Sequence, residues 1–155
     1  MERIPSFQVN HNILEPGIYT SMRLKHTYTL DIRMVKPNND QEMSTKVMHT
    51  IEHLAATFLR NTTQKAKVVY FGPMGCRTGF YAIFENTLPE VEAYLLLKEF
   101  FDLADTFTEI PGASQMECGN YKDLDYTLIE TKRLMKEFAQ QLIPDPTPKT
   151  LQYVK

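Results

Sequence analysis

The chain has 155 residues, of which 43% are hydrophobic and 23% are charged, and its formal net charge at pH 7 is −2. This length favours one compact domain with a sizeable core, and the near-neutral charge argues against a nucleic-acid partner, which needs a basic surface. No stretch offers the roughly 20 apolar residues of a membrane span, and residues 1–6 lack the pattern of a secretory signal. We therefore expect a cytoplasmic protein without nucleic-acid or membrane partners.

An N-terminal arm precedes the first clear element. Ser6 and His11 lie in this arm, where nothing local distinguishes them from surface residues. Residues 26–35 then alternate between apolar and polar side chains, which predicts a half-buried strand. Arg33, near the end of this strand, has three possible interpretations: a solvated charge, a partner for Asp31, or a clamp for an anionic or polyhydroxyl substrate. A guanidinium suits the last role because it presents several donors in a fixed fork.

The next segment predicts a helix that presents two metal ligands. Ser44 or Thr45 can cap its N-terminus, and His49 and His53, four residues apart, lie on one face. Glu52 lies beside them, close to a bound ion without having to ligate it. The histidines are offset from an apolar stripe at helical spacing, which consists of Val47, Ile51, Leu54 and Phe58. That offset favours metal binding over a packed core histidine, although chance also produces such pairs.

A second candidate group lies on a Gly/Pro-rich turn between two predicted strands, residues 65–71 and 80–84. Cys76 is on this turn, and binding residues tend to occupy such loops. Its neighbour Arg77 favours the thiolate, so Cys76 is a candidate acid/base or nucleophile; the alternative is a small buried turn residue. Without a secretory signal, Cys76 and Cys118 are both expected to be free thiols.

Two further helices are predicted. The first spans residues 89–107 and has core residues that include Val91, Leu95 and Phe101. The second follows Asp125, a candidate cap, and its apolar stripe consists of Leu128, Met135, Phe138 and Leu142. Three prolines, Pro144, Pro146 and Pro148, then end regular structure. We therefore expect a single domain at 1–143 and a loose, Pro-rich tail at 144–155.

A catalytic divalent metal needs a third protein ligand and an open position. Cys118, followed by Gly119 in a predicted turn, is one candidate, and a His₂Cys set suits Fe²⁺, Zn²⁺ or Co²⁺. Glu130 is the rival ligand, and it would make the chain a zinc peptidase in which Glu52 activates a water molecule. A non-enzymatic domain with a structural metal, or with none, is the third hypothesis.

Several blocks of the sequence, in order, resemble the LuxS family, the S-ribosylhomocysteine lyases. These blocks are Ser6–Asn12, Leu30–Asn38, His49–Leu54, Gly72–Tyr81 and Glu117–Tyr121. The resemblance extends from about Ser6 to the third helix, nearly the whole chain. Because several blocks in order are far more specific than one motif, the peptidase hypothesis becomes the weaker one.

The resemblance implies an α+β fold in which a mostly antiparallel sheet packs against helices. It also implies one divalent metal ion per subunit, held by His49, His53 and Cys118. In the family this ion is usually Fe²⁺, with Zn²⁺ or Co²⁺ as substitutes.

The same resemblance implies roles for five more residues. Glu52 and Cys76 match the family's general acid/base pair. Ser6, His11 and Arg33 match residues that bind the ribose of the substrate and that come from the neighbouring subunit. The enzyme would therefore be a homodimer with shared sites at the subunit interface.

The implied reaction is cleavage of S-ribosylhomocysteine to homocysteine and 4,5-dihydroxy-2,3-pentanedione, the precursor of the quorum signal autoinducer-2. The residue types suit this chemistry, because two bases and a Lewis acid can move the sugar carbonyl to C3 by aldose–ketose proton shuttling before β-elimination of the thiol. The product could serve signalling or only the recycling of activated methyl-cycle waste. One position departs from the family: six residues before Cys76, where the family often has an acid, this chain has Tyr70.

Overall fold

Four strands form one antiparallel sheet. Their bounds are β1 (Gly17–Arg23), β2 (Thr27–Arg33), β3 (Val68–Pro73) and β4 (Gly79–Glu85). The spatial order is β1-β2-β4-β3, and every neighbouring pair is antiparallel. The computed structural model describes residues 1–120, 122 and 127–154.

Three α-helices accompany the sheet. They are α1 (Thr45–Arg60), α2 (Glu90–Asp102) and α3 (Leu128–Ala139), and short 3₁₀ turns occur at Pro5–Phe7, Lys65–Lys67, Ala104–Thr106 and Met116–Cys118. The predicted α+β fold, with one mostly antiparallel sheet packed against helices, is confirmed. Within the described residues, none of the helices is long and apolar enough to cross a membrane.

The two faces of the sheet differ, as the alternation along β2 predicts. Leu30 and Ile32 are fully buried and pair across the sheet with Ala82 and Phe80, so these side chains share the face that the helices cover. The other face carries Thr29, Asp31, Arg33, Tyr81 and Ile83. Arg33, one of the candidate site residues, lies at one end of this second face.

Helix α2 is shorter than predicted, and part of its predicted core face is exposed. The helix expected at 89–107 ends at Asp102, and a 3₁₀ turn follows at Ala104–Thr106. Leu95 is wrong as a core residue, because it is 43% exposed, whereas Phe101 is buried as expected. The segment is apolar around much of its circumference, so the sequence alone could not say which stripe faces inward. Met135, Phe138 and Leu142 are buried as predicted; the expected cap Asp125 lies outside the described residues.

The prediction of a loose C-terminal tail is wrong. Leu151 is fully buried, and its carbonyl accepts a hydrogen bond from the backbone N–H of Thr20 in β1, at 2.7 Å. The prolines do end regular structure, but the irregular segment still packs on the edge strand, where it covers hydrogen-bonding groups that would otherwise be open. The domain boundary between residues 143 and 144 stays a prediction.

Candidate active site

Helix α1 presents His49 and His53 side by side. Ser44 caps the helix, because its hydroxyl accepts a hydrogen bond from the backbone N–H of Val47 at 3.2 Å. The apolar stripe is buried under the sheet, which fixes the rotation of the helix, and the two imidazoles on another face remain half-buried with ring centroids 4.7 Å apart. The two rings therefore lie together on one face of the helix, as the four-residue spacing predicts.

Cys118 completes a cluster with these histidines. It lies at the end of the 3₁₀ turn Met116–Cys118, and its Sγ is 3.4 Å from Nε2 of His49 and 3.4 Å from Nε2 of His53. The three ligand atoms all lie within 4.8 Å of one another. Two imidazole nitrogens and one thiol converging in this way form a donor set that fits Fe²⁺, Zn²⁺ or Co²⁺.

The loop that precedes Cys118 fixes the orientation of His53. The ring Nδ1 of His53 lies 2.6 Å from the carbonyl oxygen of Pro111. A carbonyl only accepts, so Nδ1 carries the proton and Nε2 keeps a lone pair directed at the cluster. Gly112 leaves room for this contact: its φ is +78°, and a Cβ there would lie 3.0 Å from Nδ1 of His53.

Glu52 opens into a cavity beside the cluster. Its Oε2 is 3.7 Å from Nε2 of His53, and its side chain is 31% exposed. Together with His49 and Tyr70 it lines a cavity of about 440 Å³. The carboxylate is therefore close to the cluster and accessible to a small molecule. Glu130, the rival ligand, is exposed on α3 and lines a separate cavity, so among the described residues the ligand group contains Cys118 and not Glu130.

Cys76 lies on the turn between β3 and β4 and faces a larger cavity of about 910 Å³. Ser6, His11 and Arg33 of the same chain line this cavity too. Residues 73–75 and Arg77 line both this cavity and the smaller one. Cys76 thus lines the larger cavity and Glu52 the smaller one, and the turn residues are shared between the two.

The thiol of Cys76 is held in a polar environment. Its Sγ is 3.0 Å from Oγ1 of Thr78 and 3.7 Å from Nη1 of Arg33. Burial raises the pKa of Cys76, but the hydrogen bonds with Thr78 and the charge of Arg33 outweigh it, so the net pKa lies below the ordinary value of a cysteine. The thiolate is therefore accessible at lower pH than in a free cysteine.

Arg33 is not a solvated charge. It is 2% exposed, and it donates hydrogen bonds to both carboxylate oxygens of Asp31, at 3.2 and 2.8 Å. Nη1 also donates to Oγ1 of Thr78 at 2.5 Å. Of the interpretations of Arg33, a partner for Asp31 is confirmed. Burial lowers the pKa of Arg33, but the adjacent carboxylate raises it above its ordinary value, so the charge is retained.

Sequence reasoning missed two side chains that shape this environment. Thr78 contacts both Cys76 and Arg33, and its place two residues after the cysteine in the turn could have suggested that contact. Tyr153 donates a hydrogen bond to Oδ2 of Asp31 at 2.6 Å. Because 122 residues separate that pair, no local pattern indicates it.

We name the two groups by their residues. The metal half consists of His49, Glu52, His53 and Cys118. The thiol half consists of Ser6, His11, Arg33 and Cys76. Each half is assembled within one chain, and the cavities that they line are neighbours.

Comparisons with known proteins identify the chain's relatives. The family model for S-Ribosylhomocysteinase (LuxS) matches residues 4–147. The chain is similar to an S-ribosylhomocysteine lyase of Clostridium beijerinckii, with 46% identity over 159 aligned positions that cover 99% of both chains. It is also similar to the S-ribosylhomocysteine lyases of Clostridium acetobutylicum, with 50% identity over 81% of this chain and 83% of the relative, and of Desulfotalea psychrophila, with 38% identity over 99% of each.

Proposed function

Because the chain belongs to the S-ribosylhomocysteinase (LuxS) family, we propose a division of the reaction between the metal half and the thiol half. The enzyme is a carbon–sulfur lyase that cleaves S-ribosylhomocysteine to homocysteine and 4,5-dihydroxy-2,3-pentanedione, the precursor of autoinducer-2. The observation that carries the proposal is the convergence of Cys118 Sγ on two imidazole nitrogens, at 3.4 Å each. Placing the enzyme in the cytoplasm also belongs to this proposal.

His49, His53 and Cys118 would hold one divalent ion, and Fe²⁺ is the ion that we propose. When bound, such an ion acts as a Lewis acid that makes the C–H protons beside the sugar carbonyl more acidic. The hydrogen bond from His53 Nδ1 to Pro111 supports this role, because it leaves Nε2 available as a ligand.

Arg33, Ser6 and His11 bind the ribose in this proposal. All three line the cavity that Cys76 faces, so a sugar bound there would have the thiol within the same space. The guanidinium of Arg33 is fixed by Asp31 on one side, which leaves its Nη1 side directed towards Thr78 and Cys76. A fixed fork of donors of this kind selects the orientation of hydroxyl groups.

Glu52 and Cys76 move the protons. One base removes a proton from a carbon next to the carbonyl, and a proton returns to the former carbonyl carbon, so the carbonyl migrates from C1 to C2 and then to C3. Removal of the proton on C4 then expels homocysteine from C5, with the electron pair of the C–H bond forming the C4–C5 double bond and that of the C–S bond leaving on sulfur, which takes up a proton. The enol left at C4 loses its hydroxyl proton and gains a proton at C5, which gives 4,5-dihydroxy-2,3-pentanedione. The lowered pKa of Cys76 supports its role as a base, because its thiolate forms at lower pH than that of a free cysteine.

Two copies of the chain are needed to complete this site. Cys76 lines the larger cavity and Glu52 the smaller one, so a sugar in the larger cavity has the thiol, but not the carboxylate, of the same chain in its lining. We propose a homodimer in which the thiol half of one chain faces the metal half of the other. Exposed apolar side chains on the N-terminal arm and nearby strands support such an interface, among them Ile4, Phe7, Met22, Val69 and Tyr70.

The release of a free thiol tests the activity. Protein loaded with Fe²⁺ and given S-ribosylhomocysteine should produce homocysteine, which a thiol reagent detects. Glu52→Gln and Cys76→Ala should each retain the ion but lose about 10²–10⁴-fold in turnover, because each removes one proton-transfer group. Near-normal turnover in either variant would remove that residue from the mechanism, and no thiol from the loaded wild-type protein would refute the activity.

A further inference from the structure

The C-terminal segment is not part of the thiol half, but it packs beside it and contacts Asp31, the partner of Arg33. Leu151 anchors the segment to the edge strand through the hydrogen bond from Thr20. Two residues later, the ring of Tyr153 stacks on that of Tyr19, with centroids 5.2 Å apart. This placement brings the hydroxyl of Tyr153 to the face of the sheet that the helices leave uncovered.

Tyr153 is the first link in a continuous chain of polar contacts that ends at Cys76. Its hydroxyl donates to Oδ2 of Asp31 at 2.6 Å. The same oxygen accepts from Nη2 of Arg33 at 2.8 Å, and both side chains of that ion pair are at most 3% exposed. Nη1 of Arg33 lies in turn 3.7 Å from Sγ of Cys76. Because the pair is shielded from water, a change at Asp31 is felt at Arg33 with little screening.

The phenol of Tyr153 remains a donor at every pH at which the enzyme would work. Burial, and after it the Asp31 carboxylate, raise the pKa of Tyr153 far above its ordinary value. A donor on Asp31 offsets part of the negative charge of that carboxylate. More of the positive field of Arg33 is then available to a thiolate at Cys76.

We propose that Tyr153 is a positioning residue that acts through Asp31 and Arg33 to favour the thiolate form of Cys76. Its importance for turnover rests on the proposed function, in which Cys76 is a base. Tyr153 lies beyond residues 4–147, which the family model matches. The C-terminal segment thereby tunes the reactivity of a residue 77 positions before it (153 − 76).

Other ionisable groups lie near Cys76, and none of them is substituted in the test. Arg33 and Tyr81 act on it directly, and His11 lines the same cavity. Arg77 follows it in the chain and is paired with Glu42 at 2.9 Å. The hydroxyl of Tyr153 contacts Asp31 and also interacts with Ser21. A Phe at this position keeps the ring that stacks on Tyr19 and removes the hydrogen bond to Asp31.

The pH dependence of Cys76 alkylation tests the proposal. The full-length, metal-loaded protein is treated with iodoacetamide across a pH series, and peptide mass spectrometry separates modification at Cys76 from that at Cys118. In Tyr153→Phe the midpoint of the alkylation profile should rise by about half a pH unit, which is about threefold slower alkylation below the midpoint. A chain that ends at Gln152 should shift the midpoint in the same direction, because water would then screen Arg33.

Tyr28→Phe is the matched control, because the buried hydroxyl of Tyr28 donates to the carbonyl of Leu88 at 2.8 Å, away from Asp31. It should lower the melting temperature and leave the midpoint unchanged. An unchanged or lower midpoint in Tyr153→Phe would overturn the proposal, even if its melting temperature fell, and so would an equal rise in Tyr28→Phe. Alkylation needs no turnover, so this result is independent of the thiol-release assay.

Discussion

The metal half takes its geometry from one helix and one nearby loop, whereas the thiol half takes its charge from segments that are far apart in the chain. Two of the three residues that could hold a metal ion lie four positions apart on α1, and the third, together with the carbonyl of Pro111, comes from residues 111–118. Arg33 depends instead on Asp31, Thr78 and, through Asp31, on Tyr153.

The difference implies that the two halves fail in different ways. A lesion at His49, His53 or Cys118 of the metal half should release the ion, because a metal site tolerates little change in ligand position. A lesion in the thiol half should leave the ion bound and change the protonation of Cys76. The charge of Arg33, which is paired with Asp31, affects the pKa of that thiol electrostatically.

The largest effect is expected for Cys118→Ala. Loss of one of three ligands should abolish stoichiometric metal binding, measured by elemental analysis after dialysis, and turnover should be lost with it. Glu130→Ala is the control, because Glu130 is exposed on another helix, and it should retain the ion. The opposite pattern, with metal lost only in Glu130→Ala, would favour the peptidase hypothesis.

A smaller effect is expected for Gly112→Ala. The new Cβ would meet Nδ1 of His53 at 3.0 Å in a backbone conformation with φ +78°, so it should displace the hydrogen bond to Pro111. We expect a loss of about 10–100-fold in metal affinity, measured by competition with a chelator, as is usual when the partner of a metal-bound histidine is removed.

Gly119→Ala is the strict control for this variant. Gly119 has φ +77°, and no atom of the described residues, its chain neighbours aside, lies within 4 Å of a Cβ placed there. The variant therefore carries the same backbone strain directly beside Cys118, without the contact to His53. Equal losses in the two variants would attribute the effect to strain alone and would contradict the role given to Pro111.

The smallest effect is expected for Thr78→Val, in the thiol half. Removal of the hydroxyl 3.0 Å from Sγ of Cys76 should raise the midpoint of its alkylation profile towards about 8.5, the value of a free cysteine. The ion should stay bound. Thr131→Val, at a buried hydroxyl without a hydrogen-bond partner among the described residues, should leave the profile unchanged. If the midpoint stays low in Thr78→Val, the lowered pKa of Cys76 is due to Arg33 and not to Thr78.

The sequence could predict the metal half better than the thiol half, for a physical reason. The spacing of His49 and His53, and their offset from the apolar stripe, are local properties of a helix. Cys118 could be named only as one candidate, since 65 residues separate it from His53 and only the fold brings its Sγ to 3.4 Å.

The environment of Arg33 could not be predicted from alternation along β2. The pattern places Asp31 and Arg33 on the polar face, yet both are buried, because the N-terminal arm, the β3–β4 turn and the C-terminal segment surround this end of the sheet. In the same way, the prolines after residue 143 correctly indicate irregular structure but carry no information on whether it packs.

Subunit complementation tests the division into two halves most directly. Glu52→Gln and Cys76→Ala chains, co-expressed with different tags and isolated as the heterodimer, should contain one site with both lesions and one intact site. We predict about half of the wild-type thiol-release activity for this heterodimer, and none for a heterodimer of Glu52→Gln with Cys118→Ala, whose lesions both lie in the metal half. The shared site would be contradicted if the heterodimer of a Glu52→Gln chain with a Cys76→Ala chain were no more active than either homodimeric variant. It would also be contradicted if the two chains formed no heterodimer.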